Sequence, residues 1–125
     1  MITRAWRGAT TTADRARYLE YLKATGLKEY LETPGNQGVI VLTREARGHT
    51  EFLLLSFWGN MESVGRFAGP EPDKAVFYPE DDHFLVERDL EVQHYEVAFD
   101  VRKSGDGLPN DTAIADVLRF VAPQG

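Results

Sequence analysis

Between Phe52 and Trp58 the chain reads Phe-Leu-Leu-Leu-Ser-Phe-Trp, apolar at odd and even positions alike. A strand with one wet side alternates apolar and polar residues, because successive side chains point to opposite faces. Here Leu53, Leu55 and Phe57 occupy one face, and Phe52, Leu54 and Trp58 the other. Both faces therefore need cover, and a second copy of the chain is the natural second lid. Around this segment the pattern predicts a first strand over Ile2 to Gly8, with Ile2, Arg4 and Trp6 on one side and Thr3, Ala5 and Arg7 on the other. Thr11 or Thr12 is placed to cap a helix within Ala13 to Leu31, whose apolar side carries Ala16, Leu19, Leu22 and Leu27. Gly26 divides that helix, and Thr33-Pro34-Gly35-Asn36 stops it.

A β-branched strand follows over Gly38 to Thr43, then a polar hairpin loop from Glu45 to His49. After Trp58, Asn60 caps a helix with Met61, Val64, Phe67 and Ala68 inward, which Gly69-Pro70-Glu71-Pro72 ends. Asp73 is placed to start a short turn through Phe77, and Pro79-Glu80-Asp81-Asp82 has the acidic first turn of another helix. A fourth strand is expected over Val92 to Phe99. The order βαββαβ predicts an α+β, ferredoxin-like domain over residues 1–99: a four-stranded antiparallel sheet with its helices on one face. Two such sheets facing each other make a dimeric α+β barrel, with an expected contact on the order of 2,000 Å². Residues 100–125 read as a linker, Ser104 to Gly107, and a C-terminal helix capped at Asn110 or Asp111. Its stripe of Ile114, Val117, Leu118 and Val121 should dock across the dimer or over an exposed core edge.

Composition narrows the class. At 125 residues, with 42% hydrophobic and 27% charged, the chain has the make-up of a single globular domain. It has no cysteine, which excludes disulfides and a thiolate metal site or nucleophile. A net charge of −6 disfavours nucleic acid and anionic membrane as partners. No apolar run approaches the roughly 20 residues of a membrane span, and the first residues lack a signal-peptide core, so the cytoplasm is the expected location. The three histidines have no ligand spacing, so no metal site is expected.

The third strand with its following helix, Asn60-Met61-Glu62-Ser63-Val64-Gly65-Arg66-Phe67, resembles the antibiotic-biosynthesis-monooxygenase-like dimeric α/β barrels. In that family a Trp ends the strand and a Phe sits near the end of the next helix. Tyr30-Leu31-Glu32-Thr33-Pro34-Gly35 resembles the family's helix-to-strand turn. The resemblance implies a homodimer and, for members that oxidise aromatic polyketides, a cofactor-independent monooxygenase acting on a small aromatic or quinol-type substrate with O2. Metal, flavin and haem are then not needed. The fold also hosts isomerases, lyases and non-catalytic proteins, which stand as alternatives. The haem-degrading branch pairs the strand-end Trp with an Asn on the first strand and a His on the second helix. Neither partner is present beside Trp58, so haem degradation is not expected.

Such a site needs an apolar cavity, hydrogen bonds to an oxyanion and sometimes a base. The resemblance transfers Trp58 as a cavity wall, against the plainer role of a core Trp with its N–H satisfied locally. Arg4, sharing a face with Trp6, is the candidate to balance an anionic substrate if that face looks toward the helices. The alternative is a solvated Arg near the sheet end. His94 in the fourth strand, or His83 in the acidic turn, is the candidate base; the alternatives are an edge-strand His paired with Glu96 and a solvated helix residue. Tyr78, before Pro79, is a candidate donor to a substrate oxygen or a rim residue packing on the core.

Overall fold

The computed structural model describes residues 1–102. The linker and helix expected from Ser104 to Val121 lie outside the described residues. Five strands form one antiparallel sheet: β1 (Ile2–Thr11), β2 (Asn36–Ala46), β3 (His49–Trp58), β4 (Leu85–Arg88) and β5 (Gln93–Glu96). The order across it is β2-β3-β1-β4, with β5 also on β1. A 3₁₀ turn (Thr12–Asp14) leads into α1 (Arg15–Ala24) and α2 (Gly26–Glu32); α3 (Met61–Ala68) and the short α4 (Asp81–Phe84) follow β3. This is the expected α+β ferredoxin-like order with one change, five strands rather than four.

The change lies at the fourth strand position. β5 pairs with Ile2–Ala5 and β4 with Gly8–Thr10, so two short strands share one neighbour. Between them the chain leaves β1 and pairs elsewhere: Ala75 N–H donates to Leu90 O (2.9 Å) and Val92 N–H to Asp73 O (2.7 Å). The predicted strand over Val92 to Phe99 is accordingly only Gln93–Glu96. Leu85–Arg88 had no strand signal, since only Leu85 of its four residues is buried. Likewise Asp73 to Phe77 form no helix.

The other two strands are longer than their apolar cores. β2 and β3 run to a two-residue turn, Arg47-Gly48, with φ of 59° and 79°. Two positive φ values give a type I′ turn, whose twist suits a hairpin. In α1 and α2 the inward row is Tyr18, Leu22, Gly26 and Tyr30, while the expected Ala16 is exposed. Met61 of α3 is exposed as well.

β3 alternates buried and half-buried residues throughout. Phe52, Leu54, Ser56 and Trp58 face the helices, opposite Gly8, Trp6, Arg4 and Ile2 of β1. The other face carries Leu53, Leu55 and Phe57, half-buried, flanked by exposed Ile40 and Leu42 of β2 and Tyr95 of β5. The inner face holds the core: Trp6, Tyr18, Tyr30, Phe52, Leu54, Trp58 and Val64 are all less than a tenth exposed. Burying one such large apolar side chain stabilises by about 1.5–3 kcal/mol.

Helix α3 is fixed at its start by a reciprocal cap. Ser63 N–H donates to Asn60 Oδ1 (2.9 Å), and Asn60 N–H donates to Ser63 Oγ (3.3 Å). The turn after α2 packs directly on this cap: Gly59 N–H donates to Gly35 O (3.0 Å), and Arg66 Nη1 donates to Pro34 O (3.1 Å). Gly35 has φ +95°, and a Cβ built there would lie 2.2 Å from Ser63 Cβ. Gly35→Ala should therefore destabilise the fold by about 1–3 kcal/mol, through strain and the lost close approach. Denaturant titration would show a lower midpoint; an unchanged midpoint would mean the turn relaxes freely away from α3.

Candidate functional site

The face of β1 that carries Arg4 and Trp6 does look toward the helices. Arg4 is 2% exposed, and its guanidinium spans from the sheet to the irregular chain after α3. Nη1 donates to Pro72 O and lies 3.1 Å from His94 Nε2; Nη2 donates to Lys74 O (3.0 Å). The guanidinium carbon sits 5.7 Å from the Phe67 ring centroid. Among the described residues, Arg4 Nε is the one buried side-chain polar atom without a hydrogen-bond partner. Burial pulls the Arg4 pKa down, opposed by Tyr30 and Asp73 beside it. The group remains charged, since arginine starts so high.

His94 is held by this arrangement. Arginine has only donors, so the contact with Arg4 makes His94 Nε2 an acceptor. The proton then sits on Nδ1, which faces Asp73 Oδ1 at 3.2 Å. Burial, then Arg4, push the His94 pKa down, against the pull of Asp73. His94 is thus neutral at pH 7, with its one lone pair committed to Arg4.

The remaining candidates separate. Trp6 donates its indole N–H to Asp89 O (2.8 Å) and meets Phe77 edge-on at 6.2 Å. Trp58 is fully buried, donates its indole N–H to Ser56 Oγ (2.9 Å), and packs on Phe67 and Tyr30. Tyr78 turns its hydroxyl outward to Glu29 Oε2, while its backbone N–H donates to Asp81 Oδ2 (2.6 Å). His83 is exposed on α4 and is not part of the Arg4 cluster.

Arg4, Trp6 and Tyr78 line one cavity between sheet and helices, together with Tyr18, Tyr30, Phe67, Phe77 and Asp81. Its volume is about 30 Å³, and Trp58 is not among its walls. That is room for about one water molecule. A larger hollow of about 650 Å³ lies on the opposite sheet face, walled in part by Ile40, Phe57, Val97 and Phe99. Its apolar, open character fits a contact surface better than a chemical site. Among the described residues no group of three or more His, Asp or Glu could hold a metal ion.

Two residues with chemistry were missed in the sequence. Tyr30 is buried beside Arg4 and Ser56, its pKa raised chiefly by burial. The four-residue spacing Tyr18, Leu22, Gly26, Tyr30 was the signal for it. Asp81 is 4% exposed, and burial lifts its pKa to about 6, with Asp82 adding to the shift and Arg88 opposing it. Nothing in the acidic run Glu80-Asp81-Asp82 distinguishes the buried carboxyl from the exposed ones.

No known family profile matches the sequence, and no curated protein matches it. Solved structures do. A candidate antibiotic biosynthesis monooxygenase from Bacillus cereus superposes with a TM-score of 0.58 at 15% identity, over 81% of this chain and 96% of that one. A MhuD mutant with two manganese protoporphyrin IX molecules per active site gives 0.53 at 18% identity, over 82% and 99%. The chain has the ferredoxin-like fold of the antibiotic-biosynthesis-monooxygenase-like proteins, as the third strand and second helix implied. The likeness is one of fold.

The raised Asp81 pKa has a consequence for stability. Between the unfolded value near 4 and the folded value of about 6, the folded state binds more protons, so stability falls as pH rises through that window. Asp81→Asn keeps an oxygen for the Tyr78 N–H and has no charge to bury. At pH 7 it should be more stable than wild type by on the order of 1–3 kcal/mol, and the two should converge near pH 4. Thermal melts at both pH values measure this; equal melting temperatures at pH 7 would show that the carboxylate is well solvated.

Proposed function

We propose that this protein is a homodimer that takes a small aromatic or quinol-type compound between sheet and helices and oxidises it with O2 without a bound cofactor. The observation that carries the reading is Arg4. A guanidinium 2% exposed, with one N–H unmatched, borders a cavity walled by aromatic rings. The ligand chemistry that completes it is a planar ring bearing an acidic oxygen: the rings pack on the walls, and the oxyanion takes up the cation. Stabilising a phenolate or enolate is what direct electron transfer to oxygen requires, so the same contact serves binding and rate. His94 and Asp73 hold Arg4 in place from behind, and Trp58 with Phe67 stiffens the wall.

Entry of a substrate requires the cleft to open. Phe77 and Tyr78 line the cavity from irregular chain between α3 and α4, and their outward movement would widen it. The volume of about 30 Å³ also favours a second reading, a non-catalytic dimer whose cleft stays packed. Oxygen uptake with hydroquinone- or anthrone-type substrates separates the two. Turnover by wild type, reduced about 100-fold or more in Arg4→Lys, is expected from loss of the planar oxyanion donor. Neither uptake nor a heat of binding from wild type would leave the packed-cleft reading standing.

The outer face supports the dimer. Leu53, Leu55 and Phe57 with Ile40, Leu42 and Tyr95 make an apolar surface across three strands, of the kind that marks an interface. Leu55→Glu should yield a folded monomer, read by sedimentation and circular dichroism. Wild-type protein that sediments as a monomer at micromolar concentration would dispose of the dimer.

A further inference from the structure

We propose that a second copy of this chain lies on the outer sheet face about a two-fold axis parallel to the strands, over the seam between β1 and β3. This rests on the reading of that face as a dimer interface and adds its orientation. One end of the face is ionic. Glu87 of β4, Arg7 of β1, Glu51 of β3 and Arg44 of β2 form a row across the strands, alternating in sign. Arg7 Nη2 lies 3.0 Å from Glu87 Oε2 and its Nε 3.0 Å from Glu51 Oε2; Arg44 Nε lies 3.0 Å from Glu51 Oε1. Ala9 stands between Glu87 and Glu51 in register and is 1% exposed, consistent with the Arg7 guanidinium bridging the two carboxylates above it.

Two sheets packed face to face with aligned strands allow two kinds of two-fold axis. An axis across the strands sets the row on its own image, like charge on like, or on the partner's apolar end. Either choice buries charge without an opposite charge beside it. An axis along the strands reverses the row instead. Arg44 then faces the partner's Glu87 and Arg7 faces the partner's Glu51, each pair occurring twice by symmetry. Opposite charges so placed fix the register of an interface.

The apolar end fits the same axis. Read from β2 to β5, the register gives Gly38, Phe57, Thr3 and Tyr95 in one line and Ile40, Leu55, Ala5 and Gln93 in the next. Reversal sets Phe57 on the partner's Thr3, Leu55 on the partner's Ala5 and Tyr95 on the partner's Gly38. Large side chains thus meet small ones, as close packing requires. Gly38 borders the hollow of about 650 Å³, and a Cβ built on it would meet nothing within 4 Å, so there is room at that position. An axis across the strands lays β3 on β3 and β1 on β1, large on large and small on small.

Arg44→Glu and Glu87→Arg test the axis when mixed. Both side chains are more than half exposed, so each variant should fold, which circular dichroism checks. Alone, each sets like charges against each other twice and should dissociate at least about tenfold more readily than wild type by sedimentation. Mixed in equal amounts, they should form the heterodimer in preference to either homodimer, read by native mass spectrometry, because both cross-pairs are then opposite in sign. Repulsion inside a chain is the same in every dimer and cannot produce that preference. Statistical mixing, or no recovery of dimer in the mixture, would overturn the axis while leaving the outer face as the interface. A wild-type monomer would remove the dimer reading and this proposal with it.

Discussion

Arg4 stays charged at any pH the protein meets, and it sits in a low-dielectric interior where an unmatched cation costs several kcal/mol, about 3–5 when a partner is removed. Its N–H groups must be answered, and the rest of the inner layer is arranged around that need. The acceptors are the carbonyls of Pro72 and Lys74 and the imidazole of His94. Two of the three lie in the chain after α3, a stretch that forms no helix. Backbone carbonyls turned toward a guanidinium are not free to close helical turns. The same stretch then pairs with residues 90–92, and that pairing draws the chain off β1 and splits the sheet edge into β4 and β5.

This is also where sequence reading met its limit. The order of elements, the two-faced third strand, the Asn60 cap and the shared face of Arg4 and Trp6 were legible, because each follows from local periodicity or a local hydrogen bond; whether that face looked toward the helices was not. The split edge was not. β4 has one buried residue in four, and it pairs with Gly8–Thr10, about 80 residues earlier in the chain, which no local pattern announces. A helix-period reading centred on leucines also displaced the inward face of α1, since Tyr18 and Tyr30 hide polar tips on large apolar bodies.

The candidate site was legible in part for a related reason. Arg4 and Trp6 were marked by type and strand parity and Tyr78 by its place before Pro79, and they come together at one cavity. Trp58 and His83 carried equally strong signals of type but lie away from its walls, one behind the core wall and one on the surface. Residue type states what a side chain can do; burial and partners decide whether it is free to do it. His94 shows the difference, an apt base by type whose lone pair is already engaged. Asp81 shows the converse, an ordinary acidic residue in the sequence that becomes unusual only once Tyr18 and the turn at Tyr78 close over it.

The two buried ionisable groups bear on whether the cleft is merely packed. A cleft that only joined helices to sheet would be at least as stable with apolar side chains at both positions, since replacing buried charges by well-packed hydrophobic residues is often neutral or stabilising. Instead the cavity keeps a cation with an unmatched N–H on one wall and a carboxylate that weakens the fold at neutral pH on another. A single water can bridge part of this mismatch. Buried ionisable groups kept at that cost are a pattern found at binding sites, which supports the proposed reading over a structural joint.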